Sequence, residues 1–210
     1  MLTSVLASTT GAHLNPALTV SFMLKKRNSE SSRWLGLGYI IYQLCGGVIG
    51  ALTANSVFSN YAGDIRIPDG EPWINSFVIE IFGSFFISFF FHSQCDKATS
   101  ISYSNRQIFA ALVAGVQTFM ISNVSPLGSA YGSGLNPAIA LGITIAVNCD
   151  GGLRAHSYQW VFLVGPVIGA LLGALFFDFL YRKHVIMHAR RYEVESESSK
   201  SELIWEGEEK

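Results

Sequence analysis

The chain has 210 residues, of which 50% are hydrophobic and 14% charged, with a formal net charge of −1. Soluble domains carry about 25% charged residues, so the composition leans toward a membrane protein, and the near-neutral balance excludes a basic nucleic-acid surface. Cys45, Cys95 and Cys149 form no spaced motif, which argues against a disulfide framework or a metal site.

In chain order, Met1–Thr10 has no basic n-region and does not read as a cleavable signal. Gly11-Ala12-His13-Leu14-Asn15-Pro16-Ala17-Leu18 follows. Here Asn suits an N-cap, Pro suits N1, and a good helix former comes next. The apolar run that this opens is too short to cross a bilayer. After Lys25, Lys26, Arg27 and Arg33, the stretch Trp34–Ala54 approaches the roughly 20 residues of a spanning helix. Trp73–His92, Ile108–Val124 and Tyr158–Tyr181 do the same, giving four spans of an all-α integral membrane protein. The sequon Asn123-Val124-Ser125 closes the third and reads as unused at that depth.

Between the third and fourth spans the first motif returns, as Gly132-Ser133-Gly134-Leu135-Asn136-Pro137-Ala138-Ile139. About thirty residues after each Asn comes a matching glycine pair, Gly46 and Gly50, then Gly165 and Gly169. Glycines four apart in a spanning helix let two backbones approach closely. The chain is therefore an internal repeat.

Charge sets the orientation of its halves. Twelve of the fourteen Lys and Arg residues fall after the first short run, between the second and third spans, or after the fourth, leaving Arg66 and Arg154 for the other side. The bias places those three segments, and the C-terminus, in the cytoplasm. One short helix then dips in from the cytoplasm and the other from outside, which makes the repeat an inverted one. Half-helices of about ten residues are roughly 15 Å long and meet near the midplane of a ~30 Å core. Residues 183–210 are acidic and serine-containing from Glu193 on, and are expected to form a disordered cytoplasmic tail after a channel domain spanning 1–182.

Converging N-termini would put positive potential and the Asn15 and Asn136 amide donors at mid-membrane. An oxygen of water or a hydroxyl can accept there, whereas a cation is repelled. The residues before each Asn are expected to run extended and line a watery path with carbonyls, since free backbone at this depth needs water. Glu80 sits among phenylalanines, where a carboxylate needs a buried partner.

These motifs resemble the major intrinsic protein (aquaporin and aquaglyceroporin) family. GAHLNPALTV is similar to its first Asn-Pro-Ala loop, GSGLNPAIALG to its second, and Glu80 to a carboxylate that helps hold the opposing loop; the resemblance covers roughly Thr3–Arg182. It implies an aquaporin-like inverted repeat of spanning helices plus two re-entrant half-helices. Measured against that pattern, Met1–Thr10 would be the end of the second helix and the first helix is missing. Asn15, Pro16, Ala17, Asn136, Pro137 and Ala138 would form the pore centre, with carbonyls from Gly11, Ala12, His13, Gly132 and Gly134 along it. Ile139, Ser133 and either Ile121 or Val124 would form the selectivity constriction. Ile139 stands where most members carry Arg, and Ala140 where aquaglyceroporins add Asp. The implied activity is passive passage of water and small neutral solutes such as glycerol, by a homotetramer in a lipid bilayer, without a cofactor. The alternative is a non-conducting, truncated member with a structural or subunit-modulating role. No catalytic constellation accompanies the motifs, since His13, His92, His156, His184 and His188 are scattered along the chain.

Overall fold

The computed structural model describes residues 11, 13–24, 30–58, 65–67, 70–100, 108, 112, 115–116, 134–149 and 158–208. Among them the chain forms α1 (Pro16–Met23), α2 (Glu30–Val57), α3 (Trp73–Cys95), α4 (Pro137–Cys149) and α5 (Gln159–Phe176). A π-helical turn, Phe177–Tyr181, then leads into α6 (Arg182–Glu208). Three described helical stretches are long and apolar enough to cross a membrane, namely Arg33–Val57, Trp73–Cys95 and one that begins at Gln159. They coincide with the first, second and fourth expected spans, while the third, Ile108–Val124, lies largely outside the described residues.

α3 and α5 lie side by side and parallel. Trp73 meets Trp160 at one end, with ring centroids 5.2 Å apart, and Phe89 meets Phe177 near the other at 6.5 Å. Glycine makes this contact possible. A Cβ at Gly165 would stand 2.8 Å from the Glu80 Cβ, and Cβ atoms at Gly169 and Gly173 would collide with the carbonyls of Ile81 and Phe85. In the first half the expected pair does not act this way: Gly46 and Gly50 face open space. It is Gly47 that abuts the Ala138 carbonyl of α4, while Gly142 abuts the Gly47 carbonyl. The packing partner of α2 here is a half-helix, and the close contact falls on the neighbouring glycine.

Each half-helix packs on the long helix of the other half, α1 on α5 and α4 on α2. Their directions follow from what each touches. α1 ends beside His92, near the C-terminal end of α3, because Ser21 Oγ lies 3.0 Å from His92 Nε2. α4 instead climbs toward the start of α5, where Thr144 Oγ1 donates to Gln159 Oε1 at 2.8 Å. The two therefore run in opposite senses from a common level, as the inverted repeat requires.

The tail departs from expectation. Residues 182–208 continue as helix, where disorder was expected from residue 183. Glu, Lys, Arg and Ala are good helix formers, and a segment that extends an existing helix avoids the cost of nucleation. Its base is fixed by Arg182, whose Nε donates to Asp96 Oδ2 at 2.7 Å.

Candidate functional site

The site grows from two helix starts. Asn15 is the N-cap of α1, with φ −151° and ψ 117°, and its Oδ1 accepts from the Ala17 N–H at 2.9 Å. Asn136 repeats the arrangement, its Oδ1 accepting from the Ala138 N–H at 3.0 Å. The proline after each Asn has no N–H to leave unsatisfied in the first turn.

With the oxygens committed to capping, the amide nitrogens cross over. Asn15 Nδ2 donates to the Leu135 carbonyl at 2.9 Å, and Asn136 Nδ2 donates to the Leu14 carbonyl at 2.9 Å. The clasp is reciprocal and ties the two helix starts directly to each other. One Nδ2–H of each amide is used here, and each amide carries a second.

The backbone that aims those carbonyls is not extended, as expected, but left-handed. Leu14 has φ 46° and Leu135 has φ 39°. A residue with a Cβ in that region costs about 1–2 kcal/mol. Leu135 is held there from behind by Glu80, a wholly buried carboxylate. Glu80 Oε1 accepts from the Gly134 N–H at 2.9 Å and Oε2 from the Leu135 N–H at 2.8 Å. Hydrogen bonds to a carboxylate are roughly twice as strong as neutral ones, which suits an anchor. The loop that Glu80 holds is the one in its own half, not the opposing one expected from the resemblance. The opposing loop meets this one through the Asn15 amide, which donates to the Leu135 carbonyl.

A cavity of about 480 Å³ lies against this clasp. His13, Leu14, Asn136, Ala138 and Ile139 line it from the loops and half-helices, and Tyr39 and Gln43 from α2. Asn15 is only 3% exposed and sits beneath Leu135, so of the two Asn residues it is Asn136 that borders the cavity. Both helix N-termini point their partial positive charge toward this level.

Residues 1–177 match the family described as major intrinsic protein. The chain belongs to the major intrinsic protein family. Among its curated relatives, Aquaporin PIP2-4 of Zea mays is 31% identical over 182 residues, which are 84% of this chain and 60% of that protein. Probable aquaporin PIP2-4 of Arabidopsis thaliana is 30% identical over 186 residues, 86% of this chain and 61% of that protein. The chain thus spans about 60% of the length of the relatives it matches. The X-ray structure of the aquaglyceroporin from Plasmodium falciparum superposes with a TM-score of 0.68 at 18% identity, covering 86% of this chain and 77% of that one. That likeness shows the fold.

In this family member the structure brings Asn15, Pro16, Ala17, Asn136, Pro137 and Ala138 together, with Pro16, Ala17, Pro137 and Ala138 buried. Gly11, with φ +75°, uses the freedom expected of it. His13 borders the cavity, and Gly134 is buried beneath the second loop. Ile139 borders the cavity with 42% of its surface exposed. Ala12, Ser133, Gly132, Ile121 and Val124 lie outside the described residues. The motifs alone missed a polar chain beside the cavity, in which Gln43 Nε2 donates to Thr19 Oγ1 at 3.0 Å and Thr19 Oγ1 lies 3.4 Å from His13 Nδ1. A glutamine inside an apolar span was the available signal, because such a residue faces a partner or a path.

Proposed function

We propose that this chain conducts water passively across a membrane, and small neutral solutes such as glycerol with it. The reciprocal clasp of Asn15 and Asn136 supports the reading above any other observation. It fixes two helix N-termini at one level and leaves Asn136, which borders the cavity, a second N–H with which to meet a passing oxygen. Asn15, Pro16, Ala17, Asn136, Pro137 and Ala138 form the pore centre in this reading. Gly11, Ala12, His13, Gly132 and Gly134 lead into it, and Ile139, Ser133 and Ile121 or Val124 set its width. The facing dipoles disfavour cations. The relatives named as aquaporins and the fold shared with an aquaglyceroporin support the solute class.

The channel domain in this reading is 1–182, the C-terminus is cytoplasmic by the distribution of Lys and Arg, and the assembly is a homotetramer in the bilayer. The test is osmotic shrinkage of proteoliposomes holding this chain, compared with empty vesicles and with Asn15→Trp and Asn136→Trp variants. Fast shrinkage that both substitutions abolish is the expected result. Shrinkage at the empty-vesicle rate by correctly inserted wild-type chain would sink the reading.

A further inference from the structure

α3 carries a second buried anchor that the pore motifs do not use. His92 is fully buried, twelve residues beyond Glu80 and therefore about 18 Å further along the helix. Its Nε2 lies 3.0 Å from Ser21 Oγ, in the last turn of α1. Ser21 has a single hydroxyl proton, which goes to the Leu18 carbonyl at 2.8 Å. Ser88 Oγ, 3.5 Å away, gives its own proton to the Ala170 carbonyl at 2.7 Å. With both serine protons placed there, Ser21 Oγ is left to receive, and we assign His92 the Nε2–H tautomer as its donor.

Two near-parallel aromatic rings also neighbour the imidazole. Phe22 of α1 stacks on it with centroids 5.2 Å apart and planes 11° apart, and Phe177 of the π turn stacks at 6.2 Å and 20°. Phe22 in turn touches His13 at 4.9 Å, so one aromatic row runs from the π turn to the cavity wall. A π turn inserts an extra residue into a helix and often marks a functional position. Here it delivers Phe177 to His92.

We infer that His92 is a positioning residue that fixes the far end of α1, as Glu80 fixes the loop that opens α4. α1 has only eight residues, and Ser21 lies six beyond Asn15, about 9 Å along the axis. A helix this short moves as a rigid body. Release of its last turn shifts Asn15, and with it the clasp. α3 is thus a strut that holds both half-helices, one through a carboxylate and the other through an imidazole. The consequence for conduction rests on the channel reading above, whereas the latch itself does not.

The experiment compares wild type, His92→Leu, His92→Gln and Ser21→Ala in proteoliposomes, by amide hydrogen exchange and by osmotic shrinkage per inserted chain. The amides of α1 are expected to exchange about tenfold faster in His92→Leu and in Ser21→Ala, with α5 unchanged, since one net hydrogen bond is lost. Water permeability falls several-fold in the same two variants. His92→Gln, which keeps a side-chain N–H donor, stays near wild type in both measurements. Unchanged exchange of α1 in His92→Leu overturns the latch, and so does loosening by His92→Gln as great as by His92→Leu. Where His92→Leu fails to insert, the exchange of Ser21→Ala decides in the same sense. Wild-type vesicles that shrink no faster than empty ones count against the channel reading, while the exchange result still scores the latch.

Discussion

Leu14 and Leu135 share a backbone conformation, a place in the repeat and a carbonyl that accepts from the opposite Asn, but their side chains live in different surroundings. Leu135 is 1% exposed and packs with Leu18, Ile87 and Phe91, whereas Leu14 is 42% exposed at the cavity edge. Glycine at either position removes about 1–2 kcal/mol of left-handed strain, offset by the entropy it adds to the unfolded chain. At Leu14 little packing is lost, and Leu14→Gly is expected to leave stability unchanged or raise it by up to about 1 kcal/mol. At Leu135 the same substitution empties a core site worth about 2–5 kcal/mol and destabilises strongly. Thermal unfolding in detergent, with the two variants side by side, checks this. Equal effects would mean that backbone strain, not burial, governs these positions.

At the scale of elements, the close crossings fall on glycines that act unequally. Ala at Gly47 or Gly169 must displace a facing carbonyl, and an overpacked backbone contact of this kind costs about 1–3 kcal/mol. Ala at Gly50 meets nothing within 4 Å and gains helix propensity, so Gly50→Ala should hold or raise stability by up to about 1 kcal/mol. Unfolding midpoints of the three variants test the order, and a Gly50→Ala variant as damaged as Gly169→Ala would contradict it. These same glycines show how far the sequence could be read. Gly165 and Gly169 were legible because their spacing matches the groove they fill along a parallel helix. Gly47 was not, since its register is set by how α4 packs on α2, a property of the assembled fold. The half-helix starts were legible because Asn-Pro carries its own capping chemistry. The left-handed leucines were not, because Leu has no local reason to adopt that backbone and is held there by Glu80 and by the opposite Asn. The helix over 182–208 also escaped, since its low hydropathy and acidic tail read as disorder while its helix-forming residues extend α5.

For the molecule as a whole, selectivity in the channel reading depends on what the cavity offers besides the clasp. Among the described residues lining it none is formally charged; in the channel reading the two N-terminal dipoles, each equivalent to roughly half an elementary charge, and desolvation disfavour cations. Ile139 contributes an apolar wall at the position where most family members place Arg. A polyol presents a carbon face as well as hydroxyls, and such a wall suits it. Water has no such face and gains little from the contact. Replacing Ile139 with Arg narrows the opening, supplies donors and adds a fixed positive charge, and its 42% exposure lets the guanidinium remain hydrated without severe loss of stability. In the channel reading, Ile139→Arg should lower the ratio of glycerol to water permeability by about tenfold, equivalent to a barrier difference near 1.4 kcal/mol. Stopped-flow light scattering with glycerol and with an impermeant osmolyte gives both rates on one preparation. A fall in both rates by the same factor would mean that Arg merely plugs the path. An unchanged ratio would remove Ile139 from the constriction and leave selectivity to the clasp and the remaining wall.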